Sequence, residues 1–163
     1  MKKEFKLAEV FLRPYQKEDC QKLMTLFYET VHEINAKDYP KAQLAVWATG
    51  KQNAKDWHTS FLAYHTLVAV WQQQIVGFGD MDETGYLDRL YVHKNYQGKK
   101  IATLLCDHLE KKVKENITTQ ASITAKPFFE KRGYQVIKKQ QVDRSGVLLT
   151  NFVMEKTKKS LPD

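Results

Sequence analysis

Apolar residues follow two rhythms along this chain, and the change from one to the other divides it. Over residues 17–34 they recur as Cys20, Leu23, Met24, Phe27, Val31 and Ile34. That i, i+3, i+4, i+7 spacing predicts a helix with one buried face. A second helix is expected after Pro40, carrying Leu44, Val46 and Trp47, and a third over residues 56–62 with Asp56 as its N-cap. A short strand at residues 9–13 precedes them and ends at Pro14, which has no N–H to offer a ladder. Beyond residue 63 the pattern tightens. Residues 64–71 (YHTLVAVW) and 74–80 (QIVGFGD) are β-branched and aromatic on either side of Gln72-Gln73, and predict an antiparallel hairpin. Residues 86–92 (YLDRLYV) are apolar on both alternations, as a strand buried on two faces would be. The helical rhythm returns over residues 99–114, with Ile101, Leu104, Leu105, Leu109 and Val113 on one stripe. A strand at 118–123, a short helix at 127–132 stopped by Gly133, and two strands at 134–142 and 147–154 around Ser145-Gly146 complete the order. The expectation is α/β, an α+β arrangement with a mixed central sheet.

Composition narrows this. A chain of 163 residues is the size of one domain. Its core is expected over about residues 9–156 of 1–163, with 157–163 as a flexible tail. An apolar fraction of 42% against 28% charged residues is too rich in core material for a disordered chain. No run approaches the roughly 20 apolar residues of a membrane span. The opening MKKEFKLAEVF has the charge of a signal peptide, but Glu4, Lys6 and Glu9 break any apolar run, so a cytoplasmic location and no membrane partner are expected. Cys20 and Cys106 are too few for a disulfide scaffold, and five histidines without an HxxxH pair imply no metal.

The net charge of +7 suits an anionic partner. Basic residues gather at 94–100, 111–114, 126–132 and 156–159. No helix or strand interleaves basic and aromatic residues, which counts against nucleic acid. The first basic cluster lies in LDRLYVHKNYQGKKIATLLCDHLE, residues 87–110, where a strand, a polar loop and a helix beginning near Lys99 follow one another. Free N–H groups at such a helix start form an anion site, to which Lys94, Lys99, Lys100 and the Thr103 hydroxyl would add. The competing interpretation is a routine connection whose lysines solvate it. Neither G-x-G-x-x-G nor GxxxxGK[ST] is present.

The run V-H-K-N-Y-Q-G-K-K-I-A resembles motif A of the GNAT superfamily of acetyl-CoA-dependent N-acetyltransferases, Q/R-x-x-G-x-G/A. Gln97 matches its first position and Ala102 its last, Gly98 and Ile101 match the extended form, and Lys100 stands at the middle Gly. The run A-K-P-F-F-E-K-R-G-Y, residues 125–134, resembles the family's A-x-x-x-Y-E-K-x-G-F element. The resemblance implies a mostly antiparallel sheet flanked by helices and splayed into a cofactor wedge. Leu90, Tyr91 and Val92 would line pantetheine. Gln97, Gly98, Lys99, Lys100, Ile101 and Ala102 would surround the pyrophosphate, with Thr103 at its edge. Lys100 then needs a negative φ and a side chain in solvent.

The implied reaction moves acetyl from acetyl-CoA to a primary amine by direct attack in a ternary complex. Asp88 is the first choice for general base, because a desolvated carboxylate on that strand has a raised pKa. Glu83 and Asp82 are competitors acting through water, and a structural pairing of Asp88 with Arg89 is the bland alternative. The family's usual acid, the Tyr of Y-E-K-x-G-F, is Phe129 here, so Tyr134 substitutes or no side chain is needed, thiolate being a tolerable leaving group. Ser122 sits where many members place Asn, to bond pantetheine or to cap the next helix. The acceptor pocket is expected among the rings Phe27, Tyr28, Tyr39, Trp47, Trp57 and Phe61, with Glu29, Glu33 and Asp38 as attractors of a cation. A protein or peptide amine acceptor, a non-catalytic acyl-CoA sensor, and a monomer or homodimer all remain open at this stage.

Overall fold

A computed structural model describes residues 3–158. One seven-stranded sheet runs through it in the order β1-β2-β3-β4-β5-β7-β6. The strands are β1 (Phe11–Pro14), β2 (His65–Trp71), β3 (Gln74–Met81), β4 (Tyr86–Val92), β5 (Ile117–Ser122), β6 (Gln135–Arg144) and β7 (Val147–Lys156). The helices are α1 (Cys20–Glu33), α2 (Lys41–Trp47), α3 (Ala54–Ala63), α4 (Ile101–Lys111) and α5 (Lys126–Lys131). Every neighbouring pair is antiparallel except β4 and β5.

Two apolar clusters flank the sheet. The first three helices close over Val68, Val70 and Phe78, while α4 and α5 cover Leu67, Ala69, Val76 and Met81. β2 and β3 are buried on both faces, which is why their apolar residues run on without alternation, whereas β4, expected to be buried so, is buried only at Leu87 because its neighbour β5 soon parts from it. Two glycines of β3 let α4 approach. A Cβ on Gly77 would stand 3.1 Å from Ile101 Cγ2, and one on Gly79 would stand 3.1 Å from Leu109 Cδ1.

Several boundaries differ from expectation for local reasons. The first strand starts at Phe11, because residues 7–9 form a 3-10 turn, and Pro14 belongs to it, paired with Leu67. As an outer strand β1 needs no N–H there. The third helix is capped by Asn53, whose side chain accepts from the Asp56 N–H, so Asp56 sits in the first turn instead. Part of the expected tail is held: the Lys158 ammonium donates to the carbonyls of Glu110 and Val113 at the C-terminal end of α4, where a cation suits the helix dipole. Residues 159–163 lie outside the described residues. No helix among the described residues is long and apolar enough to cross a membrane.

Candidate active site

The parallel pair β4–β5 holds for two positions only, Tyr86 with Thr118 and Leu87 with Thr119, where the Thr119 hydroxyl donates to the Leu87 carbonyl at 2.8 Å. Beyond them the strands part. The cause lies on the other side of β4: Asp80 pairs with Arg89 and Met81 with Leu87, so Asp88 is an extra residue, a β-bulge. A bulge bends its strand and re-aims the extra side chain. Above it, His93 N–H bonds to the Val76 carbonyl on β3. By the antiparallel alternation Tyr91 and Arg89 then direct their main-chain groups to β3, and Leu90 and Val92 direct theirs into the gap. The Val92 carbonyl already accepts from the Thr30 hydroxyl at 3.0 Å and Gln97 Nε2 at 2.7 Å.

At the far end of the gap stands the start of α4. Its first internal bond runs from Leu104 N–H to the Lys100 carbonyl, and no side chain caps it. The N–H groups of residues 98–103 therefore have no acceptor among the described residues. Gly98 and Lys100 both have positive φ, +71° and +67°, and alternating handedness of this kind curls amides toward one point. The expected negative φ at Lys100 is thus corrected. For a lysine a left-handed backbone costs about 1–2 kcal/mol. Its side chain, like that of Lys99, is exposed. Lys94 serves elsewhere, tied to Glu29 and Glu33 at 3.1 Å each, and α4 begins at Ile101, not near Lys99.

A cavity of about 410 Å³ runs from this loop down the gap. Its wall includes Leu90, Tyr91, Val92, Gln97, Gly98, Lys99, Lys100, Ile101, Ala102, Thr103 and Ser122. All the residues proposed for acetyl-CoA are therefore brought together. A second cavity, about 530 Å³, opens on the side of the first three helices and the β6–β7 hairpin. Trp47, Asp88, Tyr91, Gln120 and Ser122 line both. The junction of the two cavities is where a donor in one would meet an acceptor in the other.

Of the acid–base candidates, Asp88 alone is at that junction. Its side chain is 34% exposed. Partial burial raises its pKa, with Asp82 adding to the rise and Arg89 and Arg144 opposing it. Arg89 does not neutralise it. The guanidinium Nε is 2.6 Å from Asp80 Oδ2 and 3.9 Å from Asp88, its NH2 donates to Ser60 Oγ, and it lies over the rings of Trp57 and Phe61. Asp80 is fully buried, and burial carries its pKa up, to about 7, against the pull of Arg89.

Glu83 lies in the exposed turn before β4 and lines neither cavity. Asp82 Oδ1 accepts from Thr84 N–H, Thr84 hydroxyl and Tyr86 N–H, a turn-closing role. Tyr134 is placed away from the junction. It is 2% exposed, its hydroxyl donates to Glu110 at 2.9 Å, and its ring packs on Phe129 behind the gap. Ser122 accepts from the Ala125 N–H, capping the turn into α5 while facing both cavities.

Among the rings expected at an acceptor site, Phe27, Tyr39, Trp47 and Trp57 line the second cavity, whereas Tyr28 stacks on His32 and Phe61 is sealed in the core. Glu29, Glu33 and Asp38 face Lys94 and Thr124, not the cavity. Sequence reasoning missed the opposite wall, Val142, Arg144 and Leu149. The pairing of β7 with β5, which are far apart in sequence, is the non-local event that carries this hairpin to the rest of the sheet.

Residues 35–156 match the family described as Acetyltransferase (GNAT) domain. YafP of Escherichia coli K12, an N-acetyltransferase named as uncharacterized, is 36% identical over 148 residues, 91% of this chain and 96% of its own. A crystal structure from Rhodopseudomonas palustris, described as a GCN5-related N-acetyltransferase (aminotransferase, class II), shares 31% identity at a TM-score of 0.88, covering 95% of this chain and 99% of that one. In fold alone the chain also resembles a PaiA N-acetyltransferase from Thermoplasma acidophilum in complex with coenzyme A. There the TM-score is 0.72 and the identity 21%, over 91% and 99% of the two chains.

Proposed function

The chain belongs to the GNAT acetyltransferase family, and from that premise we propose that it transfers acetyl from acetyl-CoA to a primary amine, both bound at once. The observation that carries the reading is the meeting of two cavities at Asp88. Acetyl-CoA supplies an acetyl group activated as a thioester. The amides of residues 98–103, with the α4 dipole behind them, hold its diphosphate. The gap-facing main chain of Leu90 and Val92 orients the arm, and an N–H there polarises the acyl carbonyl. Asp88 takes the proton of the incoming ammonium, a task suited to a carboxylate whose pKa is raised. No acid is required of Tyr134. A thiol of pKa about 8.5 leaves readily as thiolate, and Tyr91, which burial keeps protonated, is a phenol common to both cavities.

The acceptor side supports a small amine with a flat apolar body. Its volume falls in the range of small-molecule pockets, roughly 300–1,000 Å³, and its walls carry six rings: Phe27, Tyr39, Trp47, Trp57, Tyr86 and Tyr91. Asp80 already offsets Arg89, so Asp56, Asp88 and Arg144 leave the cavity one negative charge, which an ammonium balances. The sensor reading has Lys100 and Phe129 in its favour, but gives a base at the junction nothing to do.

A thermal melt with and without acetyl-CoA tests the first half. At 100 times Kd the ligand stabilises by about 2.7 kcal/mol, a rise of roughly 5–10 °C for a chain of this size. An unmoved melt at millimolar acetyl-CoA overturns the reading. Free thiol released on mixing with arylalkyl amines tests the second half; binding without release from any amine would favour the sensor.

A further inference from the structure

Seven polar or charged residues are buried in this protein: Asp19, Thr30, Asn35, Thr66, Asp80, Glu110 and Thr119. Six have their side chains bonded. Asp19 pairs with Arg13, Asp80 with Arg89 and Glu110 with Arg132, while Thr30, Thr66 and Thr119 donate to the carbonyls of Val92, Phe61 and Leu87. Asn35 is the exception. It is 6% exposed and lines the gap, its carboxamide bonded to no described residue yet open to the cavity, unlike the sealed and unbonded His65 Nε2 and Trp71 Nε1. Its carbonyl closes the turn after α1, accepting from Asp38 and Tyr39 N–H. The side chain therefore caps nothing and supports no local structure. Its donor and its acceptor are free to bond a molecule that enters the gap.

The cavity it lines tells what that molecule is. Asn35 stands in the wall of the gap with Thr30, Ile34 and Trp47, all from the N-terminal helices and the turn that follows α1. The phosphate-holding amides of residues 98–103 belong to the loop before α4. The neighbouring polar groups are spent: Thr30 and Gln97 on the Val92 carbonyl, Ser122 on Ala125 N–H, Thr124 on Asp38. A neutral group that donates and accepts at once is complemented best by another amide. The arm of coenzyme A carries two amides between its phosphates and its sulfur. We propose that Asn35 is a positioning residue for the acyl donor, hydrogen-bonded through its carboxamide to an amide of the pantetheine arm. This rests on the acetyl-CoA reading above and goes beyond it, because the remainder of the arm's contacts in that reading are main-chain.

The test compares wild type with Asn35→Leu, similar in volume and without polar atoms, and Asn35→Asp, similar in shape but unable to donate when ionised. Each is titrated with coenzyme A, acetyl-CoA and the nucleotide half alone, 3′-phosphoadenosine 5′-diphosphate. Both variants should lose about tenfold in affinity for coenzyme A and acetyl-CoA alike and keep wild-type affinity for the nucleotide half. Ligand-free Asn35→Leu should melt close to wild type, because the carboxamide bonds no described residue. Unchanged coenzyme A affinity overturns the proposal, as does equal loss for the nucleotide half. Loss confined to acetyl-CoA would move the bond to the acyl carbonyl and also overturn it, and a lower ligand-free melt would make Asn35 structural. Wild type binding neither coenzyme A nor the nucleotide half would instead sink the function on which the proposal stands.

Discussion

Two carboxylates, Asp88 on β4 and Glu110 on α4, sit beside arginines, and burial acts on them in the same direction. Glu110, on α4, receives Arg132 Nε at 2.6 Å, Lys156 Nζ at 2.8 Å and the Tyr134 hydroxyl at 2.9 Å. Burial raises its pKa, but these bonds, Arg132 first, more than reverse the rise and leave it below the ordinary range. Asp88 has Arg89 as a sequence neighbour, yet that guanidinium is drawn off by Asp80, Ser60 and two rings, so burial wins and the pKa goes up. The difference is one of unspent capacity. Where every lone pair is answered, a buried charge holds the fold; where the neighbouring cation is already committed, the charge is left for a ligand. Tyr134 belongs to the answered cluster, its hydroxyl donating to Glu110 and so held away from the junction of the two cavities.

The strongest way to break this contrast is Asp88→Asn. Removing a general base costs roughly 10²–10⁴ in turnover, with acetyl-CoA affinity unchanged, read as kcat beside a cofactor titration. The wild-type rate should fall on acidification through a pKa above that of a free aspartate, because the folded environment favours the protonated form. Full turnover in the variant would return the base to Glu83 or Asp82 acting through water.

Next in size is Glu110→Leu, which leaves Lys156 without its anion and Arg132 with Asp107 alone, at 2.6 Å. Breaking a fully buried pair costs about 3–5 kcal/mol; with Asp107 retained the loss should be about 2–3 kcal/mol, several degrees of melting temperature, while the folded fraction keeps its cofactor affinity. The pH dependence sharpens the point. The Glu110 pKa is lower folded than unfolded, so its stabilisation is present above the unfolded value, about 4.3, and is lost as pH falls through the folded one. Melts from pH 6 to pH 3 should therefore fall more steeply for wild type than for Glu110→Gln. Parallel curves would mean that the cluster holds nothing.

What the sequence could disclose follows the same division between local and non-local. The stripe Ile101, Leu105, Leu109 and the hairpin of β2 and β3 announce themselves, because periodicity and a short turn are properties of adjacent residues, whereas the apolar run of β4 misled, since only Leu87 of it is buried. One wall of the first cavity was legible too, since it is drawn from the nearly contiguous residues between Leu90 and Thr103. The Asp80–Arg89 pair and the bulge that isolates Asp88 depend on the register of β4 on β3, and the placing of Val142, Arg144 and Leu149 depends on the pairing of β7 with β5. No spacing in a single chain encodes that. Lys100 failed for a different reason: its backbone handedness is imposed by the turn into α4 against its own preference, and propensity alone gives the wrong sign.

That conflict yields the smallest effect, and one that separates the backbone from the side chain at the phosphate loop. Lys100→Gly removes the left-handed penalty of about 1–2 kcal/mol and adds unfolded-state entropy worth about 0.5–1 kcal/mol. The ligand-free protein should therefore melt about 2 °C higher. Coenzyme A affinity should fall by less than tenfold at low salt, because one exposed ammonium near the phosphates is lost while the amides that hold them remain. The gap between variant and wild type should close as salt screens that charge. A variant that melts lower would show that the Lys100 side chain, not its carbonyl and handedness, organises the start of α4. An affinity gap that persists in salt would show the same lysine to be a bonded ligand, and the site would then depend on its side chain as firmly as the acceptor cavity depends on Asp88.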